Sequence, residues 1–343
     1  MKLSKKNKII DRILIVGHGS IGKRHLRIAR EFFPNGIIKV LRHQVKKDEP
    51  KIADGVFYNI KEAISFNPQI AIIANPAPFH IEVAQVLADC GTHLLIEKPL
   101  STSIKGITKL IETIKKRDAT LLIGYNLRYL ESLEFFKKHL DKGLIGNILS
   151  VRCEMGKYLP SWRPESNYKE GVSARAELGG GALLELSHEL DYLRWIFGEI
   201  DWVKSTLARQ SSLEIDVEDT AHLTLGFASK SNGSRLIGSL NLDFIRHDHT
   251  RICTAIGDKG SLQWNALTDE IMLFNAGSND WVRLSKFQSQ RDHSYISEWK
   301  NLLKSIDGFE KPLISGNDGL KVLEIIEAAQ KSSKSGRQEF IKG

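Results

Sequence analysis

Up to about Tyr125, short uninterrupted apolar runs alternate with segments of helical period. Arg12 to Val16 (RILIV), Ile37 to Leu41 (IIKVL), Gln69 to Ala74 (QIAIIA), His93 to Glu97 (HLLIE) and Thr120 to Gly124 (TLLIG) read as strands. Helices are predicted from about Ser20 to Phe32, Pro78 to Asp89 and Ser103 to Lys116. Strands that are apolar on both faces and separated by helices belong to a parallel sheet covered on both sides. Right-handed crossovers then predict a doubly wound α/β domain that takes its ligands at the carboxyl ends of the strands.

Beyond Tyr125 the pattern changes. A helix from Tyr129 to Leu140 leads to a strand near Ile148 to Glu154, a glycine-rich stretch and a helix from about Ala182 to Phe197. Asp201 to Ala208, Thr220 to Phe227, Ser234 to Phe244, Arg251 to Ile256 and Ile271 to Phe274 alternate with period two. That alternation predicts a largely antiparallel sheet with one face on helices, an α+β domain. Ser294 to Asp307 and Asp318 to Lys331 are helical in period. The expected division is therefore 1–125 and 126–343.

A chain of 343 residues, 41% hydrophobic and 26% charged, suits two globular domains. It has no apolar run of about 20 residues to span a membrane. The basic start followed by a short apolar stretch runs into a glycine loop without a small-residue cleavage site, and reads as a tail ahead of the first strand. Cys90, Cys153 and Cys253 have no paired spacing. They indicate neither a disulfide framework nor a zinc site, and a reducing cytoplasm is expected. The net charge of +8 comes from scattered lysines. No basic stripe interleaved with aromatics points to nucleic acid, and an anionic cofactor or substrate accounts for the sign equally well.

Gly17 to Gly22 (GHGSIG) places a G-x-G-x-x-G directly between a strand and a helix. Gly17 permits a tight turn, Gly19 lets the backbone approach a pyrophosphate, and Gly22 lets helix and strand pack closely. Ser20 and Ile21 open the helix, whose free N–H groups suit phosphates. The second strand ends in Leu41, Arg42 and His43, with no carboxylate before Asp48 to hold ribose hydroxyls. Arg42 suits a 2′-phosphate or the adenine face, and is otherwise a strand-end arginine in solvent. The reading favours NADP over NAD. Lys98, after the strand His93 to Glu97, can steady a developing alkoxide, or can be a surface residue before a proline. His188 lies three residues after Glu185 in the helix expected over 182–197, and histidine is the usual proton acceptor for alcohol oxidation near neutral pH. A structural histidine with Glu185 as a cap is the alternative. Arg246, His247, Asp248 and His249 contain an H-x-H where a strand is expected to run, but no third metal ligand is evident, so no metal is expected.

GHGSIG, NPAPFH (Asn75 to His80), EKPLS (Glu97 to Ser101), GYNLRY (Gly124 to Tyr129) and GGGALLELSHELD (Gly179 to Asp191) together resemble the Gfo/Idh/MocA oxidoreductases, relatives of glucose-fructose oxidoreductase and inositol dehydrogenase. The likeness continues through SYISEWKNLL and NDGLKVLEIIEAAQKS to the C-terminal part. It implies a Rossmann domain followed by an α+β domain whose open sheet forms a homodimer or homotetramer. It also implies hydride transfer between nicotinamide and a hydroxyl or carbonyl carbon of a sugar or nucleotide-sugar. Lys98 would be the catalytic lysine, with a cis Lys98–Pro99 bond, and His188 the proton donor or acceptor. Many members carry an aspartate four residues before that histidine. Glu185, three before, differs in side chain and spacing, although it remains a catalytic candidate. The cofactor would lie across Gly17 to Gly22, Arg42, Asn75, Pro76, His80, Glu97 and Lys98. Asn126 and Arg128, with Tyr158, Trp162, Arg163 and Tyr168, are substrate-binding candidates; aromatic faces suit a pyranose and guanidinium an acidic group. The Tyr158 region is similar to members from bacterial surface-sugar clusters. The rivals are a redox-neutral enzyme that retains its cofactor and a non-catalytic dinucleotide sensor.

Overall fold

The computed structural model describes residues 10–43, 50–228, 235–288 and 290–341. The basic N-terminal tail, Asp48 and Ser234 lie outside them. The chain forms two compact units: Met1–Tyr125 with Tyr295–Leu323, and Asn126–Ser294 with Glu324–Gly343. The division is discontinuous, where a continuous 126–343 was expected. A helix that is apolar by pattern carries no sign of which core it joins, so the sequence did not reveal this return.

In the first unit, β1 (Arg12–Val16) leads into α1 (Ser20–Phe32), β2 (Ile37–Leu41), β3 (Val56–Phe57) and α2 (Ile60–Ser65). β4 (Ile70–Ile73), α3 (His80–Asp89), β5 (His93–Glu97), α4 (Ile107–Lys116) and β6 (Leu121–Gly124) complete it. The strands pair in the order β3-β2-β1-β4-β5-β6, parallel throughout. Ile13, Leu14, Ile15 and all four residues of β4 have no exposed surface, which is why their sequence shows no alternation. The order reverses between β1 and β4, and the crevice outside their carboxyl ends is where such sheets bind ligands. β3 and α2 are too short to give a periodic signal, and sequence reading passed over them.

The second unit begins with α5 (Glu131–Asp141) and β7 (Ile148–Gly156). α6 (Ala182–Glu185), α7 (His188–Phe197), β8 (Ile200–Ala208), β9 (Thr220–Phe227), β10 (Ile237–Asp243) and β11 (Thr250–Gly257) follow. Then come β12 (Gly260–Asn265), β13 (Glu270–Asn275), β14 (Val282–Lys286), α8 (His293–Ile306), α9 (Gly316–Ser335) and β15 (Glu339–Phe340). From Tyr295 to Leu323 the chain belongs to the first unit. The nine-stranded sheet runs β14-β13-β12-β11-β7-β10-β9-β8-β15. β10 and β7 are parallel, and the other pairs are antiparallel. Alternate residues such as Val151, Cys153 and Met155 are buried on one face. Helices supply that cover: Trp264 Nε1 donates to Ser132 Oγ of α5 at 3.0 Å, Tyr192 of α7 meets the Trp264 ring edge-on at 5.4 Å, and Ser205 Oγ donates to the Ala329 carbonyl of α9 at 2.5 Å.

Candidate active site

The glycine turn is built by steric necessity. Gly17 has φ +91°, and a Cβ there would lie 2.7 Å from the Ala74 carbonyl oxygen. At Gly22 a Cβ would lie 2.2 Å from the Gly17 oxygen, so only glycine lets α1 pack on the turn. Around Gly19, by contrast, nothing lies within 4 Å of that position. Gly19 and Ser20 are exposed and Ile21 half-buried. α1 begins without a side-chain cap and without an acidic residue in its first turn, which leaves its N-terminal N–H groups for an anion. Gly17 N donates to the Leu41 carbonyl at 2.9 Å, which brings the end of β2 and Arg42 to the turn. Asn75 follows β4, and its Oδ1 is buried with no hydrogen-bond donor among the described residues. An open glycine, an uncapped helix and an orphaned acceptor at a topological switch point fit a dinucleotide.

Lys98 follows directly on β5, and the Lys98–Pro99 bond is cis. Glu97 holds this turn from inside: its Oε2 accepts from Lys98 N at 3.2 Å, and its Oε1 accepts from His25 Nε2 at 2.7 Å. His80 packs against it from the other side. Its ring nitrogens face the carbonyl oxygens of Asn75 at 2.7 Å and Pro99 at 3.1 Å. Burial pushes the His80 pKa down, and a neutral ring donates from one nitrogen, so the shorter contact marks Asn75 as its acceptor. With 1% of its surface exposed, His80 packs between two loops and donates to one of them, where the sequence suggested a direct cofactor ligand. Glu97, at 6% exposure, likewise acts inward on backbone and imidazole.

In the second unit the helix expected over 182–197 is broken. α6 ends at Glu185, Leu186 and Ser187 turn, and α7 starts at His188. The i, i+3 argument that set Glu185 beside His188 on one helical face therefore fails. Glu185 Oε2 accepts from Ser173 Oγ at 3.1 Å, and His188 stands half-buried in the first turn of α7. One turn further on, Asp191 accepts from Arg128 Nη2 at 2.6 Å and from its Nε at 2.8 Å. Both residues are buried, so Arg128 is committed to the fold, contrary to the expected substrate contact. Asn126 Nδ2 donates to Ser294 Oγ at 2.8 Å. Trp162 donates to the Lys157 carbonyl at 3.0 Å and meets Phe244 edge-on at 5.3 Å. Tyr168 OH accepts from Glu214 N at 3.3 Å. These three pack the unit's own loops. Arg163 is exposed, and Tyr158 lies tilted by 31° against His247 with centroids 4.1 Å apart. His247 and His249 lie in the β10–β11 loop, where a strand was expected. Arg246 in that loop pairs with Asp248 at 3.1 Å and Glu154 at 3.2 Å.

Sequence reading missed His25 and Glu298, which lie beside Glu97, and Trp299, which donates to His25. His25 sits one helical turn after Gly22, and that spacing was its available signal. Glu298 and Trp299 carried none, because they come from the returning segment.

A sheet in 3-2-1-4-5-6 order with this turn defines a Rossmann-fold dinucleotide-binding protein. Residues 12–125 match the oxidoreductase family, NAD-binding Rossmann fold, and residues 137–340 match the C-terminal alpha/beta domain of the same family. The chain belongs to the Gfo/Idh/MocA oxidoreductases. It is 26% identical over 341 residues to myo-inositol 2-dehydrogenase of Thermotoga maritima, covering 95% of this chain and 97% of that one. It is 24% identical to the scyllo-inositol 2-dehydrogenase (NADP(+)) IolW of Bacillus subtilis, with 94% of each chain covered. Levoglucosan dehydrogenase in complex with NADH shares the fold at TM-score 0.83 and 20% identity, covering 96% of this chain and 98% of the other. So does the WlbA dehydrogenase from Bordetella pertussis in complex with NADH and UDP-GlcNAcA, at TM-score 0.79 and 19% identity over 98% and 100% of the chains. Among the described residues no helix is long and apolar enough to cross a membrane.

Proposed function

We propose that this oxidoreductase oxidises or reduces a CH–OH centre of a sugar, a cyclic polyol or a nucleotide-sugar, with Lys98 and His188 as its catalytic residues. The observation that carries the reading is the Lys98 turn. A lysine at the carboxyl end of a central parallel strand has its main chain gripped by a buried carboxylate, in the unit that holds the glycine turn. When bound, the nicotinamide supplies the hydride donor or acceptor. Lys98 steadies the substrate oxygen as charge develops on it. His188 accepts the hydroxyl proton in oxidation and returns it in reduction. Glu185 orders the loop around Ser173 and so supports the segment leading to His188.

The glycine turn, Arg42, Asn75 and Pro76 hold the dinucleotide. NADP is the preferred coenzyme, because Arg42 stands at the end of β2 where a carboxylate would serve NAD; the NADP-linked inositol dehydrogenase relative agrees with this. Tyr158, packed against His247, and the exposed Arg163 serve an aromatic-lined, cationic substrate surface. Assembly as a homodimer or homotetramer belongs to the same proposal and is read by light scattering.

The test screens NADP and NAD against a panel of inositols, free sugars and nucleotide-sugars, following nicotinamide absorbance. Lys98→Met and His188→Ala should each lose about 10²-fold or more in kcat, with coenzyme affinity by fluorescence retained. Full turnover in Lys98→Met removes the lysine from the mechanism.

A further inference from the structure

Glu97 stands in a buried cluster whose other members lie outside every motif that suggested the chemistry. A nitrogen or oxygen of His25, Glu97 and Glu298 each lies within 4.8 Å of the other two, and all three residues are buried. His25 comes from α1, Glu97 from the end of β5, and Glu298 from the part of α8 that belongs to the same unit.

The protons in this cluster can be counted. Trp299 Nε1, which can only donate, points at His25 Nδ1 at 3.0 Å. Nδ1 is therefore an acceptor, and the imidazole proton sits on Nε2. It is donated to Glu97 Oε1 at 2.7 Å. The other Glu97 oxygen accepts from Lys98 N. With donors on both oxygens, Glu97 is the ionised carboxylate. Glu298 has no exposed surface, and neither of its oxygens has a hydrogen-bond partner among the described residues. Two carboxylates this close in an apolar setting cannot both carry charge. Burial and the charge on Glu97 push the Glu298 pKa well up. Glu298 keeps its proton.

The surroundings agree. Tyr295 lies edge-on to His25 at 5.8 Å, and the Arg24 guanidinium caps its outer face at 4.5 Å. Burial and Glu97 push the Tyr295 phenol up as well. Arg24, His80 and Tyr295 also face the cluster, and neither Glu298 oxygen accepts a hydrogen bond from any of them. A divalent metal on this triad would have to expel the Nε2 proton while Nδ1 still accepts from indole, which makes the ring an imidazolate. The cluster is built for a proton.

We propose that His25 and Glu298 are positioning residues for Lys98: they hold Glu97 as the single charge of the cluster, and Glu97 holds the main chain from which Lys98 projects. His25 orients one carboxylate oxygen, Lys98 N takes the other, and the protonated Glu298 fills the remaining side without drawing the carboxylate away. The role rests on Lys98 being catalytic, whereas the proton count does not.

The experiment uses the full chain and two readouts. Infrared spectroscopy of ¹³C-glutamate-labelled protein near neutral pH should show an un-ionised carboxyl band that Glu298→Gln removes, and ¹⁵N NMR should place the His25 proton on Nε2. His25→Phe, with His25→Asn as a milder variant, should lower kcat about 10- to 100-fold. NADPH affinity by fluorescence should stay within about threefold, the split expected of misplacement. Absence of the band, or binding of added zinc with loss of the Nε2 proton, overturns the cluster. Unchanged kcat in both His25 variants overturns the positioning role. If Lys98→Met keeps full turnover while the band remains, the catalytic reading of Lys98 fails and takes the positioning role with it, leaving the proton count intact.

Discussion

Replacing Glu298 by glutamine should make the protein more stable, and increasingly so as pH rises. In the unfolded chain a glutamate titrates near 4.3. In the fold, burial and the adjacent Glu97 charge hold the Glu298 pKa well above that. The native state therefore keeps a proton that the unfolded state has released. Its contribution to stability is fully present below the unfolded pKa and is lost as pH rises towards the folded one. The loss amounts to about 1.4 kcal/mol for each pH unit in that window. Glutamine has nearly the same shape, no titrating proton, and leaves the same site without hydrogen-bond partners, so its stability lacks this slope. All other groups are common to both proteins and cancel in the comparison. For a cooperative unit of about 150–250 residues, 1 kcal/mol corresponds to about 2–4 °C in Tm. The Tm gap should then widen in favour of Glu298→Gln by about 3–6 °C per pH unit. Calorimetric scans at about pH 5.5, 6.5 and 7.5 measure it. Parallel Tm curves would falsify the reasoning, because they mean Glu298 is ionised in the fold.

Other substitutions separate binding from folding. Arg128→Ala breaks a buried ion pair by removing its cation and should cost about 3–5 kcal/mol; a raised substrate KM at unchanged stability would restore Arg128 to the substrate site. Gly17→Ala forces a Cβ onto the Ala74 carbonyl at positive φ. It should lose coenzyme binding and about 1–3 kcal/mol of stability from backbone strain alone, seen by fluorescence titration and thermal unfolding. Arg42→Asp should reverse the coenzyme preference towards NAD, measured as the ratio of the two kcat/KM values, and an unmoved ratio would show that Arg42 takes no part in the choice.

The parallel sheet was legible because β1, β4 and β5 are buried on both faces, and only such strands give unbroken apolar runs. The alternating strands of the second unit were legible for the converse reason, one covered face each, although β12, β14 and β15 were missed. The glycine turn could be read because each glycine answers a steric demand. What stayed hidden depends on contacts between distant segments. Arg128 stands in a motif as a substrate-binding candidate, yet Asp191 pairs with it. The single helix expected through Glu185 and His188 is two, since periodicity does not register a turn at Leu186–Ser187. Cys153 and Cys253, unrelated by spacing, are register partners on β7 and β11. Glu298 read as one more polar residue of an amphipathic helix, and only the packing of its unit brings it to Glu97.

Whether hydride moves between substrate carbon and coenzyme can be observed without any substitution. A sugar or inositol found active in the panel, deuterated at the oxidised carbon, is incubated with the enzyme and NADP or NAD, and the reduced coenzyme is examined by mass spectrometry. Direct transfer predicts the deuterium on the nicotinamide ring. Deuterium released to solvent, or retained in product with the coenzyme unlabelled, would contradict it.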